Sequence, residues 1–196
     1  MFARTERLLL RPSWPEDAQE LYQAIADAGI VRNLARAPWP YTADDAAHFV
    51  VQEPDAQHPA FLLMLRTNGA PRLIGACGIS NFDGDAELGY WIARPYWGLG
   101  FATEASRAVV NIAKTIGHKK LIASHFIDNP ASGNVLRKLG FQNTGETARR
   151  HSIGRGEADA CVMYEKALDE TDSEPRARPR PAAFSMREQM ERLQAA

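Results

Sequence analysis

The 196-residue sequence predicts a mixed α/β fold, a mostly antiparallel sheet of six to seven strands flanked by helices. Strand-like and helical segments follow the order β-α-α-β-β-β-α-β-α-β-β, which is not a strict alternation of single strands and helices. Turn signals at residues 68–69 and 83–85 favour antiparallel hairpins in the middle of the chain. A central strand, residues 87–92, then runs through a turn with two glycines into a long helix.

The first half of the chain contributes strands and two capped helices. Residues 6–11 alternate enough to form a strand, and a capping box at Ser13 and Glu16 predicts a helix that extends to about Ala28. Thr42 caps a second predicted helix. The remaining predicted elements are a helix over 44–52, strands over 61–66 and 72–82, a helix over 101–117, a strand over 120–127, a helix over 132–139 and closing strands over 142–150 and 158–167.

Composition limits the function classes. Hydrophobic residues make up 45% and charged residues 24%, as in a globular protein that can bury a core. The net charge of −1 gives no indication of nucleic-acid binding, and no segment predicts a membrane span or a signal peptide. Cys77 and Cys161 lie far apart without metal-ligand spacing, so we expect a cytoplasmic protein without a metal.

The character of the chain changes at Asp169. Residues 169–196 are rich in charge and proline, which predicts one domain over 1–168 followed by a tail. A short amphipathic helix over 184–193 is compatible with the pattern. The tail either stays solvated or docks on the domain or on a second subunit, so monomer and homodimer both stay open.

The turn between the central strand and the long helix predicts an anion site, because a helix that begins at a tight glycine turn presents free N–H groups. A P-loop would require Lys after Gly100, where the sequence has Phe101. A dinucleotide fingerprint would require Gly at Thr103 and an acidic residue roughly 20 positions further on. Phe101 argues strongly against a P-loop, and neither requirement of the dinucleotide fingerprint is convincingly met.

Residues 96–105, Tyr-Trp-Gly-Leu-Gly-Phe-Ala-Thr-Glu-Ala, resemble the pyrophosphate loop of the GNAT N-acetyltransferases. That family's pattern is Arg or Gln, two residues, Gly, one residue, then Gly or Ala, and Trp97, Gly100 and Ala102 occupy its fixed positions. Trp97 departs from the pattern in a way that is familiar in the ribosomal-protein N-terminal acetyltransferase (RimJ/RimL-like) branch. The resemblance covers residues 5–168.

The resemblance implies that the chain binds acetyl-CoA along this strand, turn and helix. Backbone N–H groups near the end of the strand would polarise the thioester oxygen, as in an oxyanion hole. The residues expected to contact coenzyme A are Ile92, Ala93, Trp97, Gly98, Leu99, Gly100, Phe101, Ala102 and Thr103.

A second stretch, residues 128–141, is similar to the family's Asn-x-x-Ser motif followed by Lys-x-Gly-Phe. The similarity implies that Asn129 holds the pantetheine amide and that Ser132 and Lys138 also lie at the cofactor. The alternatives from the residues alone are a turn residue before proline for Asn129 and a plain helix cap for Ser132.

Catalytic roles also come from the resemblance. Glu87 matches the family's glutamate that acts as general base, often through water, and it would also contact the acceptor amine. Ser132 matches the serine that protonates the leaving thiolate in the ribosomal-protein branch, while Leu136 stands where many relatives have tyrosine. His151 is a secondary candidate for the base.

The resemblance implies a primary amine as the acceptor, with a protein or peptide N-terminal α-amine as the leading expectation. Trp39 and Tyr41 resemble a loop that lines the acceptor site in this branch, although the same residues would suit a rigid loop that plugs the core. Small amines, amino acids and antibiotics are alternative acceptors. A CoA-binding module that has lost catalysis is the alternative from another class.

Overall fold

The computed structural model describes residues 1–168. The predicted tail, residues 169–196, and its helix over 184–193 lie outside the described residues. Among the residues described, no helix is both long and apolar enough to cross a bilayer.

A single sheet forms the centre of the domain, with its strands in the order β1-β2-β3-β4-β5-β6-β8-β7. Every neighbouring pair is antiparallel except β5 and β6, which run parallel. The strands are β1 (Ala3–Arg4), β2 (Leu8–Arg11), β3 (Ala60–Leu65), β4 (Arg72–Phe82), β5 (Asp85–Ile92), β6 (Lys120–Phe126), β7 (Gln142–Ser152) and β8 (Glu157–Ala167). The helices are α1 (Ala18–Ile25), α2 (Ala28–Val31), α3 (Ala43–Val50), α4 (Phe101–Thr115) and α5 (Pro130–Lys138).

The predicted mixed, mostly antiparallel sheet is confirmed, with one strand more than expected. The additional strand is β1, whose two residues are too few to show a periodic pattern. The first predicted helix is divided, because Ala26 leaves the helical conformation (ψ 62°) and Asp27 caps a new turn by accepting the Gly29 N–H at 2.7 Å. The capping box at its start uses Asp17, which accepts the Trp14 N–H at 2.7 Å, rather than Glu16.

Two hydrophobic cores lie on the two faces of the sheet. The first lies under α4 and α5 and includes Val109, Leu121 and Leu136, all fully buried. The second lies under α1, α2 and α3 and includes Leu21 and Leu62, each about 1% exposed. Side chains alternate between the two faces along each strand, so a single residue position decides which core a strand residue joins.

The two neighbours of β5 pair with it very differently. Eight residue pairs join β4 to β5 without interruption, from Gly75–Ile92 to Phe82–Asp85. One pair, Glu87–Ile122, joins β5 to β6. Beyond that pair, β6 pairs with β8 as far as Phe126, while β5 continues to Ile92 beside β4. We call the gap between the two diverging strands the β5–β6 opening.

Candidate active site

Polar side chains border the β5–β6 opening on both faces of the sheet. Glu87 and Trp91 lie on the face of β5 toward α1, because Trp91 packs against the core under that helix. Tyr90 lies on the opposite face, where it packs against the core under α4 and α5. A molecule in the opening would therefore have Glu87 on one side of it and Tyr90 on the other.

Glu87 forms a buried ion pair with Arg150 of β7. The two guanidinium Nη atoms of Arg150 each donate to one carboxylate oxygen, with Nη2 3.0 Å from Oε2. The side chains of Arg150 and Glu87 are only 9% and 12% exposed. Ser124 completes the cluster, since its hydroxyl accepts from Arg150 at 2.6 Å and donates to Glu87 at 3.3 Å. Sequence reasoning missed Arg150, which stands in the run Arg149-Arg150-His151 without any motif.

Arg150 and His151 are neighbours on β7, so their side chains point to opposite faces of that strand. Arg150 is buried against Glu87 and stacks on the Phe82 ring at 3.6 Å, whereas His151 is exposed. His151 is therefore not brought to the carboxylate of Glu87. Within residues 1–168 the His151 side chain makes no hydrogen bond or ion pair, and its role as the base stays a prediction.

The two aromatic residues predicted for the acceptor site are separated. Tyr41 is 7% exposed and belongs to the core under α1, and burial raises the pKa of its phenol to about 12. This burial is what the rigid-loop alternative predicts, and the contact of Tyr41 with an acceptor stays a prediction. Trp39 is 47% exposed and is therefore accessible to an acceptor.

On the other face of the opening, Tyr90 and Ser132 contact each other. The Tyr90 hydroxyl lies 2.8 Å from Ser132 Oγ and donates to the Ser132 carbonyl oxygen at 3.0 Å. Burial raises the pKa of Tyr90 well above the ordinary value of a phenol. Sequence reasoning treated Tyr90 only as a strand former, and Leu136, where relatives have tyrosine, is buried in the core.

Asn129, and not Ser132, caps α5. The Asn129 side-chain oxygen accepts the Ser132 N–H at 3.4 Å, and Ser132 lies in the first turn of the helix. The cap occupies the oxygen of the Asn129 amide and leaves the Ser132 hydroxyl directed to Tyr90. Lys138 is exposed at the last helical position of α5.

The N-terminus of α4 differs from those of α3 and α5. The side chain of Thr42 caps α3 and that of Asn129 caps α5, but the capping position of α4 is Gly100, which has no side chain. Gly100 has φ +83° and ψ 1°, a left-handed conformation that glycine adopts without strain. The first N–H groups of the 15-residue α4 are thus left for an external acceptor, which suits a pyrophosphate.

The remaining residues predicted to bind coenzyme A surround this helix end. Phe101 is buried in the core, Ala102 and Thr103 are half-buried in the first turn, and Gly98 and Leu99 are exposed. The Trp97 indole N–H donates to the Ile92 carbonyl oxygen at 2.6 Å, which folds the turn back onto the end of β5. The GNAT pattern has Arg or Gln at this position. In this chain Trp97 stands there instead and stabilises the turn through its hydrogen bond to Ile92.

The two predicted oxyanion donors are not equivalent. The Ala93 N–H donates to the Ile74 carbonyl oxygen at 2.8 Å, so it is used within the fold. Successive N–H groups of a strand point to opposite edges, so the Ile92 N–H points toward the β5–β6 opening. Ile92 is accordingly the better candidate to polarise a thioester oxygen.

A second ion pair, between Arg7 and Glu104, braces the glycine turn. Arg7 Nε donates to Glu104 Oε2 at 2.7 Å, and Arg7 Nη1 donates to the Leu99 carbonyl oxygen at 3.0 Å. Thr5 donates to Glu104 Oε1 at 2.6 Å. Burial by itself would raise the pKa of Glu104, but the hydrogen bonds from Thr5 and Arg7 outweigh it and lower that pKa. Sequence reasoning did not predict this brace.

Comparisons with known proteins agree with this geometry. The family described as acetyltransferase (GNAT) domain matches residues 7–142. The uncharacterized N-acetyltransferase p20 of Bacillus licheniformis is 30% identical over 150 residues, which are 72% of this chain and 82% of that protein. The chain belongs to the GNAT acetyltransferase family. It is therefore an acyltransferase that uses acetyl-CoA as its acetyl donor.

Solved structures share the fold at low sequence identity. A GNAT acetyltransferase from Bacillus anthracis is 22% identical with a TM-score of 0.73 over 87% of this chain and all of that one. A ribosomal-protein-S5-alanine acetyltransferase from Vibrio fischeri is 17% identical with a TM-score of 0.72 over 89% of this chain and all of that one.

Proposed function

We propose that this enzyme acetylates a protein or peptide N-terminal α-amine by direct attack within a ternary complex. The observation that carries the proposal is the β5–β6 opening, with Glu87 on one face and Ser132 on the other. The acceptor class is suggested by the fold shared with a ribosomal-protein-S5-alanine acetyltransferase and with a ribosomal L7/L12 alpha-N-protein acetyltransferase. Acetyl-CoA supplies an activated acetyl group as a thioester.

Each end of acetyl-CoA has suitable partners in the chain. The uncapped N-terminus of α4 would bind the pyrophosphate through the N–H groups that follow Gly100. The Ile92 N–H would donate to the thioester oxygen as negative charge develops there. Asn129 and Ser132 would border the pantetheine and the sulfur from α5.

Acetyl transfer forms a bond from the amine nitrogen to the acetyl carbon and breaks the C–S bond, whose electron pair leaves on sulfur. The amine must lose one proton, and the thiolate must be stabilised or protonated. We assign the first task to Glu87 and the second to Ser132, which lie on opposite faces of the opening. This separation keeps the base close to the amine and the acid close to the sulfur.

The ion pair with Arg150 bears on how Glu87 works. Both carboxylate oxygens of Glu87 already accept guanidinium N–H bonds from Arg150, which leaves less room for direct contact with an amine. We therefore propose that Glu87 takes the proton through a water molecule, with Arg150 and Ser124 fixing its orientation. The pair also cancels the charge of Glu87, which disfavours polycationic acceptors such as polyamines.

Thiol release from acetyl-CoA tests the proposal across N-terminal peptides, amino acids, polyamines and aminoglycosides. We expect the highest kcat/KM with peptides that have a free α-amine, and none with the same peptides after N-terminal blocking. Turnover on a small amine instead would overturn the acceptor assignment. Without any turnover, a rise in melting temperature on adding acetyl-CoA would show that the enzyme binds this cofactor, and the proposed acceptor class would be overturned.

A further inference from the structure

We propose that Tyr90 is a positioning residue that orients the Ser132 hydroxyl toward the departing sulfur. Tyr90 lies on β5 and Ser132 on α5, the helix that follows β6, so their contact joins the two sides of the β5–β6 opening. The inference rests on the proposed function, because it takes Ser132 as the group that meets the thiolate.

The contact involves two atoms of Ser132 and one of Tyr90. The Tyr90 hydroxyl donates to the Ser132 carbonyl oxygen at 3.0 Å, and its oxygen lies 2.8 Å from Ser132 Oγ. With its proton on the carbonyl, the Tyr90 oxygen is free to accept from the Ser132 hydroxyl. A serine side chain has three staggered rotamers, and this contact selects one of them.

The same contact can reverse when charge develops on sulfur. The Ser132 hydroxyl then turns its proton from Tyr90 to the thiolate, and the Tyr90 hydroxyl can turn its own proton to Ser132 Oγ. Ser132 Oγ therefore keeps a hydrogen-bond partner throughout, and Tyr90 keeps its proton because burial raises the pKa of the phenol. Tyr90 acts through Ser132 and needs no contact with substrate.

Tyr164 provides a matched control on the same side of the sheet. It is 2% exposed, and its hydroxyl also approaches α5, where it accepts from Arg137 at 3.3 Å. Tyr90→Phe and Tyr164→Phe each remove one phenolic hydroxyl beside α5, but only the first removes a partner of Ser132. A loss specific to Tyr90→Phe is therefore not explained by removal of a phenol beside this helix.

Steady-state thiol release in the full-length enzyme tests the inference. We expect Tyr90→Phe to lower kcat about tenfold with KM for acetyl-CoA within about twofold, as for the loss of one well-placed hydrogen bond. Tyr164→Phe should keep kcat within about twofold of wild type. An equal kcat for the two variants would overturn the inference.

The Ser132→Ala background separates positioning from general disturbance. In that background Tyr90→Phe should cause no further loss of kcat, whereas Tyr164→Phe should keep the small effect that it has in wild type. A tenfold loss from Tyr90→Phe that persists without the Ser132 hydroxyl would show that Tyr90 acts elsewhere. The proposed function has its own readout, which is thiol release by the unaltered enzyme.

Discussion

The edge of β5 that faces β4 and the edge that faces β6 have different roles. Toward β4, eight consecutive residue pairs form a continuous ladder that supports both cores. Toward β6, the single pair Glu87–Ile122 ends the ladder and the strands part. A continuous ladder satisfies N–H and C=O groups within the fold, whereas an open edge leaves them for another molecule.

The comparison shows how stability and function are divided in this domain. Changes at the β4 edge should act on folding, and changes at the β6 edge or at the glycine turn should act on catalysis or on acetyl-CoA binding. Four substitutions follow, from the largest expected effect to the smallest. The first three test this division, and the fourth tests the contribution of the Arg7–Glu104 brace to stability.

Gly75→Ala should destabilise the fold most, because it acts at the closed edge. A Cβ at Gly75 would lie 2.2 Å from the Trp91 carbonyl oxygen, a backbone atom that cannot move away alone. We expect the free energy of unfolding to fall by about 4 kcal/mol or more. Gly89→Ala on β5 is the control, since a Cβ there meets nothing within 4 Å. Equal midpoints in chemical denaturation for both variants would contradict the predicted clash of Gly75→Ala at the closed edge.

Glu87→Gln should act on catalysis. We expect kcat to fall about 100-fold, while the Kd of acetyl-CoA stays unchanged. The loss should be largest at low pH, because an α-amine with a pKa of about 8 is then protonated and needs the base, and it should narrow as the pH rises. The control is Asp85→Asn. Asp85 lies on the same strand as Glu87 and forms an exposed ion pair with Lys120 of β6. A full-rate Glu87→Gln variant would refute the assignment of the base.

Gly100→Val should weaken acetyl-CoA binding. The cause is backbone strain, since φ is +83° and the atom nearest to an added Cβ, Arg7 Nη2, is at an ordinary 3.6 Å. We expect the Kd from calorimetry to rise about tenfold. Gly117→Val places a comparable strain at the other end of α4, where φ is +98°, and should leave the Kd unchanged. A similar rise in both variants would indicate a general effect on the helix.

Glu104→Gln should have the smallest effect and should depend on pH. The folded pKa of Glu104 lies below its ordinary value of 4.5, so its hydrogen bonds stabilise the fold above that pH. We expect the variant to lose about 1 kcal/mol of unfolding free energy at pH 7. The gap should shrink as the pH falls below 4.5 through the folded pKa, because the carboxyl is then protonated in both states. The stabilising role of the brace would be contradicted if the difference in unfolding free energy did not change with pH. It would also be contradicted if the exposed control Glu146→Gln lost as much.

Features that depend on residues close in the sequence were predictable, and features that depend on distant residues were not. The order of elements, the hairpins and the glycine turn were predictable, because periodicity and turn residues act within a few positions. Errors occurred where a cap competes with its neighbours, as for Asp17 and Asn129. Which residue of a loop joins the core, as Tyr41 does, also depends on the tertiary fold.

The sequence by itself determined the mixed fold and, through its motifs, the family and the helix end suited to acetyl-CoA. Only the tertiary structure decided the contacts of the candidate site. Glu87 and Arg150 are 63 residues apart, and Tyr90 and Ser132 are 42 apart. Arg7 and Glu104 are 97 apart. Such pairs depend on strand register and on which face each residue takes, and no local pattern encodes either of them across that distance.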